Sequence, residues 1–145
     1  MNHAVVTTAP EITLWIKRAA GFIVDMYLDR LARGGVSGVR SAIPQSFEEW
    51  ILLSCCFHVE QIGVRADPEF EAVLLQCGGR WQILFNRAAS ICRQQQYICH
   101  ELAEFIMVEY EAEFLVLDIP ASIPREALRH EVALEVVRWC CPCKK

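Results

Sequence analysis

The sequence lacks the usual features of nucleic-acid-binding and membrane proteins. Its formal net charge is −4, and its basic residues are scattered, whereas a nucleic-acid-binding domain usually carries a basic stripe. It has no run of about 18 apolar residues, which a membrane-spanning helix needs, and no repeats. The N-terminus shows no positive charge followed by an apolar stretch. We therefore expect a cytoplasmic protein without a signal peptide, a membrane anchor or a direct nucleic-acid contact.

Length and composition favour one folded domain. The chain has 145 residues, of which 54% are hydrophobic, enough to bury one sizeable core. We divide it into an N-terminal helix and loop (11–45), a core (46–139) and a cysteine-rich tail (140–145). No sequence feature locates an interface, so the oligomeric state stays open.

Eight cysteines require an explanation. Without a secretory signal, a disulfide framework is not expected. Five lie in apolar or structured stretches and are interpreted as small core hydrophobes: Cys55, Cys56, Cys77, Cys92 and Cys99. The tail cysteines Cys140, Cys141 and Cys143 are interpreted as part of a frayed terminus. Their alternative role, as thiolate ligands of a soft metal, lacks the second pair of ligands that structural zinc sites use.

The hydrophobic pattern predicts an α+β domain with a small antiparallel sheet of about three strands. Helical periodicity and the candidate capping residues Ser46 and Ser122 predict helices over 11–33, 47–61, 91–110 and 124–139. Short apolar runs and the hairpin signal Gly78-Gly79 predict strands over 62–65, 70–76 and 80–85. The stretch 113–119 fits either a helix or a strand.

The strongest chemical signal is the run His100-Glu101-Leu102-Ala103-Glu104 on the third helix. His100 and Glu104 are four residues apart, so their side chains lie on one helix face, where they can bind one metal ion. Glu101 lies about 100° round the helix, where a general base for a metal-held water would stand. The run resembles the H-E-x-x-H motif of zinc peptidases, with Glu104 in place of the second histidine. By chance alone, such a run also occurs on ordinary solvated helices.

The last helix offers a third metal ligand. It carries His130 and Glu131, and either residue type is an acceptable zinc ligand. At 100° per residue, Glu131 lies about 60° from the apolar stripe through Leu128, whereas His130 points nearly opposite to it. We therefore expect Glu131 as the third ligand and keep His130 as the alternative. The other interpretation is that these side chains only flank the buried stripe.

Several segments together resemble the ImmA/IrrE family of metallo-endopeptidases. The resemblance rests on the strand ending at Asn86, on Arg93, and on the run Tyr97-Ile-Cys-His-Glu-Leu-Ala-Glu-Phe-Ile106. Glu131-Val-Ala133 is similar to the later acidic stretch of that family. The resemblance covers about residues 47–137. It implies a zincin-like fold in which His100, Glu104 and Glu131 bind the metal, Glu101 is the base and Arg93 supports the motif helix.

The resemblance also implies a function. Members of that family are thought to cleave a partner transcription regulator, often a helix-turn-helix repressor, and this chain carries no such module of its own. The expected function is thus a zinc-dependent endopeptidase acting on a protein substrate, in a stress- or phage-related regulatory setting. Two carboxylate ligands would nearly neutralise zinc, which would favour a harder metal such as Mn²⁺ or no metal at all. The alternative is a non-catalytic zincin-like interaction module.

Overall fold

The computed structural model describes residues 10–33, 43–114 and 123–141. They form, in chain order, α1 (Pro10–Arg33), α2 (Phe47–Cys56), β1 (Val59–Val64), β2 (Ala72–Cys77), β3 (Arg80–Asn86), α3 (Ile91–Glu109), α4 (Glu111–Phe114) and α5 (Arg125–Cys140). The expected α+β class is confirmed. Over these residues no helix combines the length and the apolarity that crossing a membrane requires.

The sheet is mixed, so the prediction of an all-antiparallel sheet was wrong. β2 and β3 form the expected antiparallel hairpin, and Gly78 and Gly79 both have positive φ (57° and 80°), which suits the tight turn between them. The strand order, however, is β1-β3-β2, and β1 runs parallel to β3. The connection over 65–71 carries the chain past β3, so β2 becomes an edge strand.

One buried side chain, Asn86 at the end of β3, holds that connection. Its amide Nδ2 donates to the carbonyl oxygens of Ala66, Asp67 and Phe70 at 2.9–3.3 Å. Its Oδ1 accepts from the backbone N–H groups of Ala66 and Ala88. Since Asn86 is only 2% exposed, these bonds satisfy loop groups that water does not easily reach. Asn86 therefore fixes the path that separates β1 from β2.

The second helix is shorter than predicted. Ser46 caps it as expected, accepting from the backbone N–H of Glu49, but the helix ends at Cys56 and not near Gln61. His58 has φ 63°, a left-handed conformation that breaks the helical path. β1 begins one residue later, at Val59, and Gln61 pairs with Ile83 instead of continuing the helix.

α3 lies at the centre of the packing. It contacts β2 and β3 on one side and α5 on another, while α1 covers α5 and α2. Its buried stripe includes Ile98, Leu102, Phe105 and Ile106, which leaves the face with His100 and Glu104 at the rim of the core. The last helix begins one residue after Pro124; its expected cap, Ser122, lies outside the described residues.

The cysteines differ from expectation. Of the five interpreted as core residues, only Cys99 is buried, while Cys55 and Cys77 are exposed and Cys56 is intermediate. Cys92 is disulfide-bonded, although no disulfide was expected. Conversely, Cys140 and Cys141 are buried because α5 extends to Cys140 and packs on α3. Cys143 lies outside the described residues, as does most of the ambiguous stretch 113–119.

Candidate metal centre

Contacts at the N-terminal turns of α3 fix the position of the helix, and with it the positions of His100, Glu101 and Glu104. Ser90 caps the helix, and its side chain accepts from the backbone N–H of Arg93 at 3.2 Å. The Gln94 side chain donates to the carbonyl oxygens of Arg87 and Ala89 at 3.1 and 2.7 Å. The helix is thus tied to the end of β3, and its second half carries His100, Glu101 and Glu104 along the side of the sheet.

Three potential ligands converge where α3 meets α5. His100 Nε2 lies 2.8 Å from Glu104 Oε2, and His130 Nδ1 of α5 lies 3.9 Å from the same oxygen. The two imidazole rings stand edge to face with centroids 5.2 Å apart. One ligand atom from each residue lies within 4.8 Å of those of the other two, and among the described residues this is the one group of three that meets that condition.

The spacing of these atoms fits a divalent metal ion. Nitrogen or oxygen ligands about 2.0–2.1 Å from a tetrahedral zinc ion are roughly 3.3 Å apart. The two contacts to Glu104, 2.8 and 3.9 Å, lie on either side of this value. Small side-chain rotations would therefore bring the three atoms around one ion. Two imidazoles and one carboxylate are a ligand set found in catalytic zinc sites.

The two candidates for a third ligand lie in different surroundings. His130 joins His100 and Glu104, whereas Glu131, the expected third ligand, is not part of the group. Glu131 is buried at 6% exposure inside the helix packing, while the His130 side chain is 39% exposed at the rim. The helical wheel placed His130 nearly opposite the stripe through Leu128, and its partly exposed side chain lies at the rim, beside Glu104.

Electrostatics favour a charged pair at His100 and Glu104. Burial alone would lower the pKa of His100, but the hydrogen bond to Glu104 and the charges of Glu104, Glu101 and Glu71 raise it. Burial would raise the pKa of Glu104, yet the hydrogen bond and charge of His100, with further help from His130, lower it. Each shift favours the ionised form, so the two side chains satisfy each other when no cation is bound.

The pKa of Glu101 shifts in the opposite direction from that of Glu104. Burial and the nearby charge of Glu104 raise its pKa to about 7. Its side chain lies on the same helix one residue after His100 and borders the same cleft. A carboxyl with a pKa near neutral can exchange a proton close to physiological pH, which is what a general acid–base group requires. Nearby positive charge, including a divalent cation, would lower this pKa.

The site opens into a cleft of about 570 Å³ between α3, α5 and β2. One wall is formed by Glu71, just before β2, and by Ala72 to Leu74 of β2. The edge of β2 that faces away from β3 pairs with no other described strand. Arg93 and Tyr97 line the end nearer the start of α3. Sequence reasoning named Arg93 but overlooked Glu71, whose charge acts on both His100 and Glu101. In the sequence, the only feature that could have indicated Glu71 is its position near the start of a predicted strand.

The expected site residues thus fall into two groups. His100, Glu101, Glu104, His130 and Arg93 border one cleft, and Glu131 does not. The described cluster could hold a metal ion. No protein-family model, no curated protein and no solved structure matches this chain.

Proposed function

We propose that this chain binds a divalent metal ion, zinc first, through His100, Glu104 and His130, and hydrolyses peptide bonds with Glu101 as the general base. The observation that carries this is the convergence of three ligand atoms within 4.8 Å at the rim of an open cleft. When bound, zinc would polarise the scissile carbonyl and lower the pKa of the attacking water. Glu101 would accept the proton from that water and pass it to the leaving amine.

The ligand set supports zinc over a harder metal. Glu104 and Glu131 together would supply two negative charges, whereas Glu104 with two neutral imidazoles supplies one. The site would then keep a net charge of about +1 on binding Zn²⁺, so the ion would remain an effective Lewis acid. Imidazole also suits zinc better than Mn²⁺, which prefers oxygen ligands.

The cleft supports a protein substrate in an extended conformation. β2 is an edge strand of the described sheet, and Ala72, Val73 and Leu74 line the cleft beside the ligand cluster. An extended peptide can add to such an edge through backbone hydrogen bonds, while its side chains occupy neighbouring pockets. The scissile bond would then lie between β2 and His100. A transcription regulator with a helix-turn-helix remains the partner that the ImmA/IrrE resemblance suggests.

Elemental analysis of the purified chain tests the metal assignment. We expect about one zinc per chain in the wild type, and loss of that zinc in His130→Gln and in Glu104→Ala. Glu131→Gln is the matched control, because it removes a carboxylate one residue from His130 and should retain the metal. Zinc lost in Glu131→Gln but kept in His130→Gln would contradict the proposed ligand set. No zinc in the wild type after reconstitution would contradict the metal site itself.

One observation favours a second candidate, a non-catalytic interaction module. His100 and Glu104 are already 2.8 Å apart and of opposite charge, so the fold does not need a metal to satisfy them. Hydrolysis of a labelled unfolded protein such as casein separates the two functions. A zinc-loaded wild type that cleaves, with a Glu101→Gln variant that keeps its zinc and does not cleave, would support the peptidase. Zinc without cleavage of casein or of a candidate regulator would favour the module.

A further inference from the structure

A second cluster of reactive side chains lies between α3 and the end of α5, separate from the proposed metal ligands. Three free cysteines meet there: Cys99 on α3, Cys140 at the last residue of α5, and Cys141, which caps that helix. Burial raises the pKa of the Cys99 thiol, and the neighbouring thiols of Cys140 and Cys141 raise it further. Cys141 Sγ also lies 4.0 Å from the carbonyl oxygen of Gln95, one turn before Cys99.

The position of this thiol cluster differs from that of an ordinary core cysteine. Cys99 is fully buried, whereas Cys140 and Cys141 are 6% and 5% exposed and lie at a helix end, where helices fray most readily. Thiols on two packed helices can form a disulfide where their Cα atoms lie within about 7 Å of each other. The three sulfurs do not form a metal cluster, because among the described residues only His100, Glu104 and His130 form one.

We propose that this cluster is a redox-modification site in which Cys99 forms a disulfide with Cys140 or Cys141, joining α3 to α5. The oxidant is a low-molecular-weight disulfide of the glutathione class. The sulfur of Cys140 or Cys141 attacks the small disulfide, which forms a mixed disulfide and releases one glutathione thiol. The sulfur of Cys99 then attacks the protein-side sulfur and releases the second. Two cysteine thiols lose two electrons and two protons, and one glutathione disulfide becomes two glutathione thiols.

Cys99 is the shared partner, since the thiols of both cysteines at the end of α5 act on its pKa. Only one disulfide can form in the cluster at a time, and it leaves a third thiol beside it. That thiol can attack the new bond, so the disulfide can move between the adjacent residues Cys140 and Cys141 without a further oxidant. In both forms the crosslink connects the two helices that carry the proposed metal ligands. The thiol proposal does not depend on metal binding.

Tryptic mapping of the full chain tests this site directly. Cleavage after Arg93 separates Cys92 from Cys99, because Cys92 falls in the peptide 88–93 and Cys99 in the peptide 94–125. Cleavage after Arg138 places Cys140 and Cys141, together with Cys143, in the peptide 139–144, so the double variant Cys140→Ser/Cys141→Ser is needed to assign the crosslink to Cys140 or Cys141. After incubation in oxidised glutathione and blocking of free thiols with N-ethylmaleimide, we expect 94–125 crosslinked to 139–144, with the loss of two hydrogen atoms. A disulfide of Cys92 would appear on 88–93 instead.

Variants make the result decisive. Cys99→Ala should lose the crosslink to 139–144, and so should the double variant Cys140→Ser/Cys141→Ser, which does not alter the centre of α3. Cys77→Ser is the matched control, because Cys77 is an exposed free thiol on β2, and this variant should keep the crosslink. A reductant such as dithiothreitol should remove the crosslink in wild type. If 94–125 carries only N-ethylmaleimide or glutathione, or stays crosslinked through another residue in Cys99→Ala, the proposal is wrong.

Discussion

Replacing Glu101 with glutamine should flatten the pH dependence of stability of the metal-free protein. Burial and the negative charge of Glu104 raise the pKa of Glu101 from 4.5 to about 7 in the folded chain. Glutamine has a similar size and does not titrate, so the substitution removes this one proton while keeping the shape of the cleft. His100 and Glu104 remain in both proteins.

Whether stability rises or falls with pH depends on whether the folded or the unfolded state binds more protons. Between pH 4.5 and about 7, folded Glu101 is protonated while unfolded Glu101 is ionised, so the folded state binds more protons and stability falls as the pH rises. Above about pH 7 both states are ionised, and no further loss arises from this group. With roughly 1.4 kcal/mol per pKa unit, integration from about pH 5 to 8 gives a loss of about 2.5 kcal/mol that wild type should show and Glu101→Gln should not.

Urea unfolding in a chelator at about pH 5 and pH 8 measures this difference. With slopes of about 1–3 kcal/mol/M, the wild-type midpoint should fall by roughly 1–2 M more than the variant midpoint over that range. The raised pKa of His100 also lowers stability as the pH rises through its titration. Because the charge of Glu101 contributes to that raised pKa, Glu101→Gln should reduce this loss as well. If the free energy of unfolding changes equally with pH in the two proteins, Glu101 does not carry the raised pKa.

Three further predictions concern the loop, a close strand contact and the metal. Asn86→Ala should cost about 2–4 kcal/mol in urea unfolding, because several buried hydrogen bonds are lost together, and Asn86→Asp should cost at least as much, because its second carboxylate oxygen would face three carbonyl oxygens. Gly63→Ala should destabilise by about 1–3 kcal/mol, since its new Cβ would lie 3.0 Å from the Phe85 ring; Gly21→Ala, whose Cβ has 3.7 Å of room in a helix, should instead stabilise by about 0.5–1 kcal/mol. Zinc affinity measured by competition with a chelator should fall as the pH is lowered, because the raised pKa of His100 lets protons compete with the metal; a flat profile would mean that His100 is not a ligand.

The locally determined parts of the fold could be predicted from sequence. The Gly78-Gly79 hairpin depends on two positive φ values that glycine adopts freely. The cap at Ser46 depends on a side-chain oxygen three residues before the backbone N–H group that it accepts from. Each of these signals involves residues close in the chain, so no knowledge of distant packing is required to find them.

The strand order and the third ligand depend on distant residues. Asn86 binds a loop 16 to 20 residues earlier, and nothing in the hydrophobic pattern distinguishes this from an ordinary strand end. For the third ligand, the helical wheel found which face of α5 is buried but not where α3 crosses it. The proposed site would have to border solvent to admit a substrate, and His130 lies at the half-exposed rim of α5, whereas Glu131 is buried in the helix packing.

In the proposed site the acidic ligand lies on α3 and the second imidazole lies on α5, and this arrangement affects the affinity for metal. In an H-E-x-x-H run, the two histidines of one helix have no strong mutual interaction, and the acidic ligand comes from elsewhere. Here the acidic ligand, Glu104, is already hydrogen-bonded to His100 at 2.8 Å, and the second imidazole comes from α5. Metal binding must therefore break a charge-assisted bond worth about 1.5–3 kcal/mol, which corresponds to roughly a 10- to 150-fold loss in affinity relative to an equivalent site without that bond. The same bond keeps the metal-free cleft ordered, so the proposed site should release zinc without unfolding.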